Sequence, residues 1–95
     1  MASRRNLKKA VNNLCFGVIG ECLSFLEHTP SLNQENAQLI IADAVELRNK
    51  LVGMINHPKH EAFSDINIKA YYRSIRNELF KESERLMERL NNLPR

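Results

Sequence analysis

The sequence predicts an all-α protein, built as an up-down-up antiparallel bundle of three helices. Apolar residues recur at spacings of three and four along three long segments, which is the periodicity of amphipathic helices. The 95 residues include only three Gly and three Pro, so few positions interrupt regular structure. Short connectors favour antiparallel neighbours. The length suits a single domain over residues 1–95.

The first helix is predicted over residues 4–28. Ser3 is a suitable N-cap, and the segment ends ahead of Pro30, because proline disfavours helix in the residue before it. A helical wheel sorts the apolar residues onto one face. That face comprises Leu7, Val11, Leu14, Cys15, Val18, Ile19, Cys22, Phe25 and Leu26.

The same segment has an alternative interpretation as an export signal, since Arg4 and Arg5 precede an apolar run. Glu21 interrupts that run, and no small-residue cleavage site follows it. We therefore favour a structural helix. No apolar run reaches the roughly 18 residues that a membrane span needs. Two cysteines within an apolar face favour a reducing compartment, so we expect a cytoplasmic location.

The second helix is predicted over residues 33–56 and the third over residues 65–93. Ser31 with Gln34, or Asn33 alone, would cap the second helix. Ser64 would begin the third, with Phe63 before it and Ile68 after it at hydrophobic-staple spacing. The seam of the second helix is Ile40, Ala44, Leu47, Leu51 and Met54. The seam of the third helix is Ile68, Tyr72, Ile75, Leu79, Ser83, Leu86, Leu90 and Leu93. We expect the Ser83 hydroxyl to bond its own backbone.

The apolar arc of the first helix is wider than one member of a three-helix bundle requires. It covers roughly 200° once Phe16 and Leu23 are included. This surplus favours a homodimer in which Phe16 and Leu23 meet a partner and complete a larger bundle. The alternative is that both residues lie at the ordinary boundary between core and surface.

The sequence contains no pattern that is typical of catalysis, a metal site or a cofactor site. In an up-down-up bundle, His28 lies at the opposite end from His57 and His60, so the three imidazoles do not converge. Cys15 and Cys22 lack C-x-x-C spacing and lie on the apolar face, where cysteine acts as a small hydrophobic residue. We therefore expect a non-enzymatic protein without metal or cofactor.

Positive charge is expected to gather where the first and third helices begin and the second ends. The cationic residues of this basic end are Arg4, Arg5, Lys8, Lys9, Arg48, Lys50, Lys59, Lys69, Arg73 and Arg76. The opposite end carries most of the acidic residues. Arg4, Arg5, Lys8 and Lys9 also oppose the dipole of their own helix, which makes their clustering more suggestive of a binding role.

Arg48 lies inside the apolar arc of the second helix, an unusual place for a cation. Antiparallel pairing sets it level with Asn12 or Asn13 of the first helix. A recess that holds an anion is one interpretation of this region. Its lining would be Arg48, Lys69, Arg73 and Arg76, with Tyr72 at the floor. The alternative is that these long side chains cover apolar surface and extend to water.

The opening residues S-R-R-N-L-K-K-A-V-N-N-L-C, followed by G-E-C at residues 20–22, carry a resemblance to known proteins. They are similar to a group of small, uncharacterised all-helical bacterial proteins that begin S-R-R-x-L-K-K. The last helix of that group is rich in Tyr and in charge, as is Y-Y-R-S-I-R-N-E-L-F-K-E-S-E-R-L here. The resemblance implies a helical bundle and carries over no activity and no site residues.

Together these features predict a binding or interaction module that self-associates through its first helix. The alternative is a protein that binds nucleic acid or another polyanion through the basic end. The clustered cations favour nucleic-acid binding. The lack of a recognisable groove-reading motif counts against it.

Overall fold

The computed structural model describes residues 4–28, 34–57 and 65–93, with side chains in the last range from residue 68 onward. Helix α1 is Arg4–His28, α2 is Gln34–Asn56 and α3 is Asp65–Asn91. These described residues contain no strand. The prediction of three long helices is therefore confirmed.

Contacts between the helices establish the up-down-up arrangement. The Arg4 guanidinium donates to the backbone oxygen of Asn56 at 2.9 Å, so α1 begins where α2 ends. The Tyr71 hydroxyl donates to the backbone oxygen of Met54 at 3.0 Å, so α3 begins there too. Each helix packs against the other two. The result is a rod with dimensions of 51 × 18 × 17 Å.

The core follows the predicted seams, except that in α2 Ile55 is fully buried in place of the predicted Met54, which is half-buried. Its side chains come from one face of each helix because they repeat every three or four residues. The buried apolar residues are Leu7, Val11, Cys15, Val18, Cys22, Phe25, Ala37, Ile40, Ala44, Leu47, Leu51, Ile55, Ile75, Leu79, Leu86 and Leu90. Burying one large aliphatic side chain stabilises the fold by about 1.5–3 kcal/mol relative to leaving it exposed. These residues hold the helices together and fix which faces remain outside.

Among the side chains that the structure describes, Ser83 is the polar one buried within this apolar layer. Its hydroxyl donates to the backbone oxygen of Phe80 at 3.2 Å, three residues earlier in α3. That bond satisfies the hydroxyl without a partner from another helix. The expectation for Ser83 is confirmed.

Helix α3 ends at Asn91 rather than at the predicted residue 93. The amide of Leu93 donates to the oxygen of Leu90 at 3.2 Å, so the last turn tightens to a three-residue step. Pro94 follows Leu93 and disfavours a helical conformation there. The predicted caps Ser3, Ser31, Asn33 and Ser64 lie outside the described residues, and so does Phe63 of the predicted staple.

Candidate functional site

The surface of α1 that faces away from the core carries two large apolar side chains. Phe16 is 56% exposed and Leu23 is 55% exposed. These are the two residues that made the apolar arc of the first helix wider than a three-helix bundle requires. Both lie outside the core. Leu14, Ile19 and Leu26 are half-buried at the edges of the core. Helix α1 is thus apolar on its inner face and at its outer centre.

Two further exposed apolar residues border α1 from the neighbouring helices. Val45 is 42% exposed and lies three residues before Arg48, which bonds α1, so it faces the α1–α2 groove. Phe80 is 52% exposed and lines the groove between α1 and α3. Leu39, which is 54% exposed, is the large apolar residue on a different side of α2. The exposed apolar surface is therefore concentrated around α1.

An open groove runs between α1 and α3. Its volume is about 530 Å³. Its wall is mainly apolar, and Glu21 and Glu84 stand at its rim. The lining residues are Asn13, Leu14, Gly17, Val18, Glu21, Phe80, Ser83, Glu84 and Met87. The groove therefore extends the exposed apolar surface on the side of α1 that faces α3, next to Phe80.

The groove between α2 and α3 has the opposite character, because ion pairs cover it. Arg89 Nη1 lies 2.7 Å from Asp43 Oδ2, and Lys50 Nζ lies 3.2 Å from Glu78 Oε1. Exposed pairs of this kind contribute about 0.2–1 kcal/mol each. Their main consequence here is that this groove offers a charged surface instead of an apolar one.

The starts of α1 and α3 lie beside the end of α2, where the basic end was predicted, and the cations there have different surroundings. Arg4 donates to the last carbonyl of α2, where a cation also complements the helix dipole. Arg5, Lys8 and Lys9 form no ion pair with a described acidic residue, although Lys50 does. Lys59 lies outside the described residues. Arg4 is thus tied to α2, and the three cations after it carry charge that no described acid neutralises.

Arg48 takes up the position that antiparallel pairing predicts. Its Nε donates to Oδ1 of Asn12 at 2.9 Å, and its Nη1 donates to Oδ1 of Asn49 at 3.0 Å. The half-buried guanidinium therefore uses two of its nitrogens within the bundle.

The other residues of the predicted anion recess lie on α3. Lys69 and Arg73 are exposed, and Arg76 is half-buried. Arg76 lies four residues before Phe80, on the side of α3 that borders the α1–α3 groove. Arg48 lies in the α1–α2 groove, so α1 separates it from Arg76. Tyr72 packs against the core, as a floor residue would. Joint binding of an anion by these four cations stays a prediction.

The histidines and cysteines occupy separate surroundings. His28 is exposed, and its Nδ1 lies 2.8 Å from the backbone oxygen of Ser24. His57 is exposed after the end of α2, and His60 lies outside the described residues. Cys15 and Cys22 are free thiols in the core. In the described part of the chain, no three side chains of His, Cys, Asp or Glu are placed to hold a metal ion.

Burial from solvent raises the pKa of both thiols. At Cys15 the charge of Arg48 partly offsets this effect. At Cys22, Glu21 raises the pKa further, and Arg89 partly offsets the increase. Both thiols are therefore held protonated, which is unfavourable for a nucleophile or a thiolate ligand.

Sequence reasoning missed how far Leu39 and Phe80 are exposed. Periodicity identifies the apolar side of a helix but gives no distance between neighbouring helices. Phe80 and Met87 lie on the side of α3 that also carries Arg76. A cation on that side was the sequence signal that this side is open to water. Leu39 carried no such signal.

None of the helices in residues 4–28, 34–57 and 65–93 combines the length and the apolar character that crossing a membrane requires. No protein-family model matches the chain, and no curated protein or solved structure matches it either.

Proposed function

We propose that this protein is a non-enzymatic interaction module that self-associates through α1. The observation that carries the proposal is the exposure of Phe16 and Leu23, at 56% and 55%, on the side of α1 away from the core. Val45 and Phe80 enlarge this apolar region from both flanks. Contiguous exposed apolar surface is typical of sites where proteins associate.

Two further features support an interaction role over a catalytic one. The thiols of Cys15 and Cys22 are buried, with their pKa values raised, and Ser83 bonds its own helix. Buried free thiols further support a reducing compartment such as the cytoplasm.

Sedimentation of the Phe16→Glu, Leu23→Glu double variant tests the proposal. Two carboxylates at the centre of an apolar contact should leave the variant monomeric, because each would lose its hydration without gaining a partner. Leu39→Glu is the matched control, since Leu39 is equally exposed but lies elsewhere. The control should associate as the unsubstituted protein does. Association that survives in the double variant would contradict the proposal.

A second candidate function is polyanion binding by the basic end. Arg5, Lys8 and Lys9 favour it, because no described acidic residue pairs with them. The Arg5→Glu, Lys8→Glu, Lys9→Glu variant should abolish binding to a labelled DNA duplex in a salt series. Lys81→Glu, which reverses one cation outside the basic end, changes net charge as much as any one of the three substitutions and should weaken binding far less than Lys9→Glu alone. Unsubstituted protein that fails to bind at low salt would exclude this function.

A further inference from the structure

We propose that two copies of the chain pair α1 against α1 in antiparallel orientation, with Lys9 of each copy beside the partner's Glu27. This inference rests on the proposed self-association and specifies its orientation and register. It follows from three properties of the outer face of α1: its spacing, its charges and its glycine.

The outer face of α1 carries a second seam, opposite the buried one. Its residues are spaced alternately by four and three, which is the spacing that brings paired helices into continuous contact. All of them are exposed. The outer seam is Lys9, Asn13, Phe16, Gly20, Leu23 and Glu27.

The charges of the outer seam favour antiparallel pairing. Lys9 stands near the start of α1 and Glu27 near its end, and neither forms an ion pair with a described residue. A parallel pair would set Lys9 beside the partner's Lys9, which is repulsive. An antiparallel pair sets it beside the partner's Glu27, and this happens twice because the contact is two-fold symmetric. Opposite charges at the ends of an apolar seam fix orientation in this way.

A single register satisfies both the charges and the apolar residues. Lys9 and Glu27 lie equally far along the chain from Val18, and so do Phe16 and Gly20. A two-fold axis level with Val18 therefore brings Phe16 to the partner's Gly20 while it joins the charged pairs. It also brings Leu23 to the partner's Asn13.

Gly20 gives the register a steric basis. A Cβ built at Gly20 would meet nothing within 4 Å, so the single chain offers no packing reason for glycine there. Glycine inside a helix weakens that helix relative to alanine. Its lack of a side chain does leave a depression between Phe16 and Leu23 on the outer seam. The Phe16 ring of each copy fits the depression at Gly20 of the other copy.

Val45 and Phe80 lie on either side of the outer seam, on α2 and α3. In the dimer they would contact the two sides of the partner's α1, so α2 and α3 would contribute to the interface as well as α1. Its centre would be uncharged and mainly apolar, with Asn13 as its polar member and the charges at the ends, as in other protein interfaces.

A charge-swap series measured by sedimentation equilibrium at low ionic strength tests the orientation. Lys9→Glu should weaken dimerisation roughly tenfold, because two attractive contacts become repulsive. Glu27→Lys alone should weaken it similarly, and the double variant should return to the affinity of the unsubstituted chain. Both positions are exposed, so circular dichroism should show intact helices in every variant.

The outcomes separate the orientation from self-association itself. Dimerisation that Lys9→Glu leaves unchanged, or that the double variant does not restore, overturns antiparallel pairing but leaves self-association standing. Unsubstituted protein that stays monomeric at the highest concentrations overturns both.

A glycine comparison tests the register. Gly20→Ala should raise thermal stability under monomeric conditions and weaken dimerisation, because its methyl group occupies the depression that receives Phe16. Gly53→Ala on α2 is the matched control, since a Cβ there also meets nothing within 4 Å. The control should raise stability and leave the dimer unchanged. If Gly20→Ala dimerises as tightly as Gly53→Ala, the contact between Phe16 and Gly20 is overturned.

Discussion

Arg48 of α2 donates a hydrogen bond from its Nε to Oδ1 of Asn12 in α1, at 2.9 Å. The bond is half-buried and lies in the middle of the α1–α2 contact, whereas the bond from Arg4 to Asn56 lies at its end. A slip of one helical turn would move the partners about 5.4 Å apart along the axis and break it. The pair of Arg48 and Asn12 thus favours the level at which α2 packs on α1.

A double-mutant cycle tests the contribution of this bond. Arg48→Met keeps the length of the side chain but removes the donor, and should lower the free energy of unfolding by about 1 kcal/mol. Asn12→Ala should lower it by a similar amount. The two losses should not add, because each substitution removes the same bond. Urea unfolding gives all three values.

Arg48→Lys is the control for charge. It keeps the cation without the planar donor, so most of the loss should remain. Fully additive losses for Arg48→Met and Asn12→Ala would show that the bond does not stabilise the helix pair.

Two leucines of α2 should respond very differently to truncation. Leu51 is fully buried at 0% exposure, whereas Leu39 is 54% exposed. Leu51→Ala should lower the free energy of unfolding by about 2–5 kcal/mol, because it removes buried methyl groups and leaves a cavity. Leu39→Ala should change it by no more than about 0.5 kcal/mol.

Both substitutions replace leucine by alanine in α2, so helix propensity changes equally and only the burial of the side chain differs. Chemical denaturation of the two variants measures it directly. Similar losses for both would mean that the outer side of α2 is covered in solution, at variance with the exposure of Leu39.

The buried thiols should make stability fall in alkaline solution. The pKa values of Cys15 and Cys22 are raised above the usual 9.0 in the folded chain. Above about pH 9 the unfolded chain therefore loses thiol protons that the folded chain keeps, which favours unfolding. This contribution to stability is complete below pH 9.0 and declines as the pH rises through the raised values.

The Cys15→Ala, Cys22→Ala variant isolates the effect from other alkaline groups. Its free energy of unfolding should decline less between about pH 8 and about pH 10 than that of the unsubstituted chain. Alkylation of the native thiols should also be slow until urea unfolds the protein. Equal alkaline slopes in the two proteins would contradict this assignment.

Much of the fold could be predicted because the local signals agree with one another. The apolar face of α1 ends ahead of Pro30, and the helix ends at His28. The antiparallel arrangement then placed Arg48 level with Asn12, and the structure joins these two residues. The exposure of Phe16 and Leu23 was predictable because the apolar arc of the first helix is wider than one helix of a bundle can bury.

The parts that escaped prediction depend on distances between helices. Phe80 and Met87 belong to the apolar side of α3 by spacing, yet Phe80 lines an open groove beside α1. Whether a boundary residue is covered depends on how closely two helices approach, which a single sequence does not specify. The charged cover of the α2–α3 groove likewise depends on matching Arg89 to Asp43 across helices.

An odd number of helices leaves the backbone itself electrically unbalanced. Helices α1 and α3 begin at the basic end and only α2 ends there, so roughly half an elementary charge of helix dipole remains positive at that end and negative at the other. This imbalance has the same sign as the side-chain charges. The rod, 51 Å long, is therefore a permanent dipole along its axis. We expect it to orient in an electric field and to approach an anionic surface end-on, more strongly than its net charge of +3 alone would indicate.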